Sequence, residues 1–142
     1  VKKQIGFTLL ELMITVIIVV TLASVALPTY TESIAKSKRA EAKRTLIELS
    51  GVMARAYSEN SSYRGQAAGD ADTGAPQNYQ TTVPGTGTAY YNLSITAATD
   101  SSYTLTATAT GGMTGDKCGN FSYTNTGVKS VSKSTREICW GD

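Results

Sequence analysis

The side chains that could do chemistry gather near the two ends of this 142-residue chain. At one end, Gly6-Phe7-Thr8-Leu9-Leu10-Glu11 sets a carboxylate four residues after Phe7. Cleavage after Gly6 would create an ammonium on Phe7 at nearly the depth of Glu11. Within one chain that carboxylate favours a helix N-terminus; between chains it would neutralise a neighbour's ammonium as both leave water. At the other end, Cys118 and Cys139 are the only cysteines, and one disulfide is the economical reading for an even count outside the cytoplasm. Asp70-Ala71-Asp72-Thr73-Gly74 has the opening of a calcium loop but lacks the later acidic ligands and the bidentate Glu, so it reads as a solvated turn. Histidine is absent, which removes the usual general base and every Ser-His or Cys-His arrangement. No enzyme activity, cofactor or metal is expected.

The element that must position Glu11 is apolar. From Phe7 to Leu27 there are 21 residues with one ionisable side chain, Glu11. At about 1.5 Å per residue they span roughly 31 Å, the hydrocarbon core of a bilayer. A carboxylate there costs about 2.5–3.5 kcal/mol on insertion scales, so Glu11 either snorkels to the interface or meets a cation. Lys2-Lys3 and Ser24-Val25-Ala26 would also suit a cleavable secretory signal, but the stretch exceeds the usual h-region of about 7–15 residues. The positive flank stays cytoplasmic and everything after Leu27 is exported. Taking Lys2 and Lys3 away from the 13 basic residues leaves 11, which balance the 11 acids, so no global attraction to nucleic acid survives.

Lys2-Lys3-Gln4-Ile5-Gly6 followed by Phe7-Thr8-Leu9-Leu10-Glu11-Leu12-Met13 closely resembles the class III signal of type IV pilins and pseudopilins. The resemblance joins a short basic leader, Gly before Phe, Glu at the fifth mature position and an uninterrupted apolar helix. It implies a leader peptide over 1–6, cut after Gly6 by prepilin peptidase, and N-methylation of Phe7. Segment 7–28 is then a transmembrane helix, held in the inner membrane until the pilus assembly machinery packs it against other pilin subunits in an extracellular fimbrium. Glu11 is assigned to assembly, and Pro28 matches a common family position. Beginning at Val1, the sequence is expected to be nearly the whole precursor, short of an initiator Met.

Residues 29–142 are expected to form the exported domain. From Thr29 to Ser58 there is no Pro and only Gly51, and helix formers are frequent, which predicts a helix over 29–58. Pro28 removes one backbone hydrogen bond and should bend the axis near the membrane boundary. Ala35, Ala42, Leu46, Leu49, Val52, Met53 and Ala56 define one apolar face. Lys36, Lys38, Arg39, Lys43 and Arg44 form a basic cluster suited to a solvated face, to subunit contacts or to anionic headgroups, with subunit contacts preferred. Residues 60–88, rich in Gly and Pro without a period, read as a long loop.

Strands follow over 89–142. Tyr91, Leu93 and Ile95 alternate with polar residues, as do Tyr103, Leu105, Ala107 and Ala109, which predicts a hairpin turning at 98–101 with one buried face. Phe121 and Tyr123 continue the alternation, and Asn125-Thr126-Gly127 turns into a short strand around 128–131. The expected fold is α+β, a pilin fold with a long N-terminal helix on a three- or four-stranded antiparallel sheet. A Cys118–Cys139 bridge would close its C-terminal loop, worth about 3 kcal/mol in the chain-entropy model.

The run from Tyr103 through Cys118-Gly119-Asn120-Phe121, Asn125-Thr126-Gly127-Val128 and Cys139-Trp140 is similar to type IVa minor pilins of the PilE and ComP kind. The resemblance implies a minor pilus subunit that enters or primes the fibre for adhesion, twitching motility or DNA uptake. The alternatives are a major pilin, a type II secretion pseudopilin and a DNA-binding uptake receptor. A receptor would use Lys117, Lys129, Lys133 and Arg136, with Tyr123 or Trp140 as stacking surfaces. Asp116, Glu137 and Asp142 offset those bases, and the single cysteine pair departs from the extra disulfide of ComP. Duplex DNA is therefore expected to bind weakly and without sequence preference.

Overall fold

The computed structural model describes residues 6–141; residues 1–5, with Lys2, Lys3 and most of the expected leader 1–6, and Asp142 lie outside the described residues. The chain divides into two compact units, Val1–Lys36 and Ser37–Asp142, and helix α1, Leu9–Asn60, contributes to both.

In the first unit α1 is apolar enough to cross a membrane, with a mean hydropathy of 2.5 over an 18-residue window that is 0% buried. Leu10, Ile14, Ile17, Ile18 and Leu22 are all at least half exposed, so lipid or neighbouring helices must cover them. Thr15, Thr21, Ser24 and Thr29 donate their hydroxyls to carbonyls three or four residues back, at 2.7–2.9 Å in the shorter contacts. This returns each polar group to its own helix, as an apolar environment demands. The helix continues without interruption through Pro28.

The second unit packs the rest of α1 on a five-stranded antiparallel sheet of order β1-β2-β3-β4-β5: Thr82–Val83, Tyr91–Ala98, Tyr103–Ala109, Phe121–Thr124 and Lys129–Val131. Ala42, Leu46, Leu49, Met53 and Ala56 are buried on the helix; Tyr91, Leu93, Ile95, Tyr103, Leu105, Ala107 and Phe121 are buried on the sheet. Ala35 and Val52, also read as core, are only half-buried. The β2–β3 register runs from Tyr91↔Ala109 to Ala98↔Tyr103, with an irregularity between Ile95 and Ala97. Thr96 is the extra residue there, and its hydroxyl donates to the Thr104 carbonyl at 3.2 Å.

The sheet has one strand more than the three or four expected, because the stretch read as a loop over 60–88 supplies β1. Its register is Thr82↔Asn92 and Val83↔Tyr91, and Val83 is fully buried. Two residues are too few to carry a period, so the alternation rule could not find them. Farther back in that stretch, Gly74 and Ile95 exchange backbone hydrogen bonds of 2.9 and 2.8 Å, and Ala67 is fully buried. A short helix, α2 at Arg136–Trp140, closes the chain. It leaves the sheet edge partly covered, since the Trp140 indole Nε1 donates to the Ser130 carbonyl of β5 at 3.1 Å.

Candidate functional site

At the N-terminal end, Gly6 and Phe7 precede the helix and are exposed, Phe7 by 76%. The Glu11 N–H donates to the Thr8 hydroxyl at 3.2 Å, and the Leu12 N–H to the Thr8 carbonyl at 3.2 Å. Thr8 is therefore the N-cap, and Thr8-Leu9-Leu10-Glu11 has the spacing of a capping box. This role of Thr8 was legible in the spacing but eclipsed by the neighbouring carboxylate. Glu11 sits in the first turn, where the helix dipole favours a negative charge. Pro28 is exposed inside α1.

At the C-terminal end, Cys118 and Cys139 are bonded, 21 residues apart in sequence with Cα atoms 5.8 Å apart. Two bases of α1 hold the ends of that loop. The Arg39 guanidinium meets Asp116, with Nε to Oδ1 at 3.0 Å, Nε to Oδ2 at 3.1 Å and Nη2 to Oδ1 at 2.9 Å. Asp116 Oδ2 also accepts the Cys118 N–H at 2.9 Å. Lys43 Nζ donates to the carbonyls of Cys139 and Trp140, at 2.9 and 3.2 Å, serving the final carbonyls of α2. Burial, and then the charge of Asp116, push the Tyr91 hydroxyl well above the ordinary tyrosine range.

Three members of the basic cluster, Lys38, Arg39 and Lys43, turn to groups of their own domain, whereas Lys36 and Arg44 stay exposed. Arg39 is only 7% exposed, and Lys38 lies 5.2 Å from the centroid of the Tyr90 ring. Tyr90 donates its hydroxyl to Glu41, Arg44 pairs with Glu48 at 3.2 Å, and Tyr79 donates to Glu48 at 2.7 Å. Burial and these carboxylate contacts push both Tyr79 and Tyr90 up to about 12. A cluster of like charges reads as solvated surface because the acid that pairs with its central member, Asp116, lies 77 positions away.

The four bases named for nucleic acid surround the disulfide in different states. Lys117 is exposed next to Cys118, and Arg136 is exposed at the start of α2. Lys133 Nζ donates to the Thr114 carbonyl at 3.1 Å, while Lys129 Nζ sits 5.5 Å from the Trp140 ring centroid. Gly119 permits this arrangement: its φ is +66°, and a Cβ there would meet the Ser132 hydroxyl and, at 2.9 Å, Lys133 Cγ. Two expectations are corrected. Trp140 is 7% exposed, edge-on to Phe121 at 5.6 Å, so it offers no stacking face. Asp116 does not screen the surface bases, because its charge faces Arg39 in the interior.

In the 60–88 segment, Asp72 receives Arg64 Nη1 at 2.6 Å and the Gly65 N–H at 3.1 Å. Asp70 receives the Gln77 amide at 3.1 Å. These carboxylates brace a turn, and among the described residues no acidic, Cys or His group of three is placed to hold a metal.

An apolar anchor helix, an antiparallel sheet laid on its second half and a disulfide-bounded C-terminus define a type IV pilin fold. A family model described as the prokaryotic N-terminal methylation motif matches residues 1–27, and one described as type IV minor pilin ComP, DNA uptake sequence receptor, matches residues 28–122. The chain belongs to this ComP family of minor pilins. It is a minor pilus subunit with a class III signal, processed by prepilin peptidase, anchored in the membrane and then assembled into the pilus. Among solved structures it is similar to the non-core minor pilin PilV of Neisseria meningitidis, at 16% identity and TM-score 0.49, over 72% of this chain and 91% of that one. It is also similar to a type IV pilin of Shewanella oneidensis, at 23% identity and TM-score 0.47, over 66% and 88%. No curated protein matches it.

Proposed function

We propose that this minor pilin serves in DNA uptake, holding extracellular duplex DNA by its phosphates on the surface around the disulfide loop. The observation that carries the reading is the match across residues 28–122 to a family described as a DNA uptake sequence receptor. The inward turn of Asp116 supports it by removing one acid from among Lys117, Lys129, Lys133 and Arg136. Four phosphate contacts would give a log-affinity against log-salt slope of about −3.6. With Trp140 buried and Tyr123 tilted against it at 6.2 Å, stacking adds little and preference among sequences is small. The same reading takes the Gly6–Phe7 bond as the one cleaved, the new Phe7 amine as the one methylated, Glu11 as the partner of a neighbour's ammonium, and Pro28 as a bend near the membrane boundary.

The test titrates fluorescent duplexes with the processed full chain in detergent micelles, beside a variant with Lys129, Lys133 and Arg136 changed to Ala. Binding that weakens steeply with salt and falls at least tenfold in the variant is expected. Equal binding by parent and variant would place the DNA contact elsewhere. A strong preference for one sequence at physiological salt would require base or shape readout and overturn the phosphate-only account.

A further inference from the structure

The last turns of α1 and the segment around residues 64–78 enclose a groove of about 750 Å³, within the range of about 300–1,000 Å³ usual for small-molecule sites. Arg55, Glu59 and Asn60 face it from the helix, and Asp70, Gln77 and Asn78 from the segment opposite. Gly51 adds an open stretch of helix wall, since a Cβ there would meet nothing within 4 Å. Among the described residues, the side chains of Arg55, Glu59, Asn60 and Asn78 make no hydrogen bond or ion pair.

The wall opposite the helix is fixed before any ligand arrives. Arg64 forks between Asp100, Nε to Oδ1 at 3.1 Å, and Asp72, Nη1 to Oδ2 at 2.6 Å. Asp70 and Gln77 are joined twice, through the Asp70 N–H and through the Gln77 amide, both at 3.1 Å. The paired Gly74–Ile95 hydrogen bonds tie the same segment to the sheet. The ordering cost of binding therefore falls on the helix side, where Arg55 and Glu59 must be fixed, and little on this wall.

The chemistry on the walls selects the ligand. A guanidinium only donates, carboxylates only accept, and carboxamides do both, which together match adjacent hydroxyls that each donate and accept. Glu48, Glu59 and Asp70 outnumber Arg55 and Arg64, and α1 ends there, at Asn60, with its negative pole. An anionic ligand is repelled; a neutral, hydroxyl-rich one is not. We propose that this groove binds a neutral oligosaccharide, a second ligand site that does not depend on the DNA reading.

The experiment applies the processed full chain, in detergent micelles, to an array of neutral, sialylated and phosphorylated oligosaccharides, and titrates the retained sugars by calorimetry. Neutral sugars are expected to be retained above the acidic ones. Arg55→Ala and Glu59→Ala should each weaken binding about tenfold, as loss of a hydrogen bond to a charged group does. Gly51→Leu, whose Cβ would meet nothing within 4 Å and whose branched side chain intrudes on the helix wall, should weaken it at least tenfold while the circular dichroism stays that of the parent. Retention of no neutral sugar at millimolar concentration, better retention of acidic ones, or parental binding by Gly51→Leu would each overturn the proposal. So would displacement of the sugar by duplex DNA.

Discussion

Replacing Asp116 by Ala removes the acid that holds Arg39, in a place where both side chains are buried: the two are 8% and 5% exposed. Truncating one partner of a buried pair costs about 3–5 kcal/mol, because the surviving charge stays buried. The Cys118 N–H loses its acceptor Oδ2 in the same step. Against a total stability of about 5–15 kcal/mol this is a large fraction, and at roughly 4 °C per kcal/mol for a unit of this size the midpoint should fall by about 12–20 °C. The assay is thermal unfolding of the full chain in detergent, followed by near-ultraviolet circular dichroism of Trp140, the sole tryptophan. Far-ultraviolet signal is less suitable because the apolar half of α1 stays helical in the micelle. Arg39→Met should be comparably damaging, whereas the double variant Arg39→Met/Asp116→Ala should be less destabilised than the sum of the singles by about 2 kcal/mol. A shift of under about 3 °C for Asp116→Ala, or strict additivity in the cycle, would refute the claim that this pair fastens the disulfide loop to the helix.

Glu11→Leu should leave membrane insertion and processing intact but deplete the subunit from sheared pili, since a neighbour's ammonium loses its partner; normal incorporation would reject the pairing. A bulky residue in place of Gly6 should leave the precursor uncut, whereas N-terminal sequencing of the parent should begin at Phe7 rather than at Leu27. Cys139→Ser should lower stability by about 3 kcal/mol for a loop of 21 residues, and alkylation of both thiols in unreduced native protein would contradict the bridge. Tyr79 and Tyr90, raised to about 12, are protonated in the folded chain after their unfolded counterparts ionise near pH 10. The unfolded state then binds fewer protons, so stability should fall as pH rises from 10 towards 12. Tyr90→Phe should make that fall shallower in an alkaline titration, and an unchanged slope would sink the assignment.

The two ends of the molecule were legible in the sequence for different reasons. A bilayer-length apolar run with one carboxylate is a one-dimensional signal: every residue from Phe7 to Leu27 meets the same environment, so composition alone specifies the helix. The alternation in β2 and β3 is equally local, because one face of a half-buried sheet repeats every second residue. Pairings across sequence were hidden. Nothing near Arg39 marks it as buried, nothing near Lys43 points to the last carbonyls of α2, and neither partner is closer than 77 residues. The strand at Thr82–Val83 exists because Tyr91 and Asn92 offer it a ladder, and Trp140 turned inward because Phe121 and the Ser130 carbonyl receive its ring and its N–H. Sequence decided the long periodic segments; only folding decided β1 and which charges met. A charge is therefore assigned to interior or surface by the side chain opposite it, and that neighbour is set by the tertiary structure.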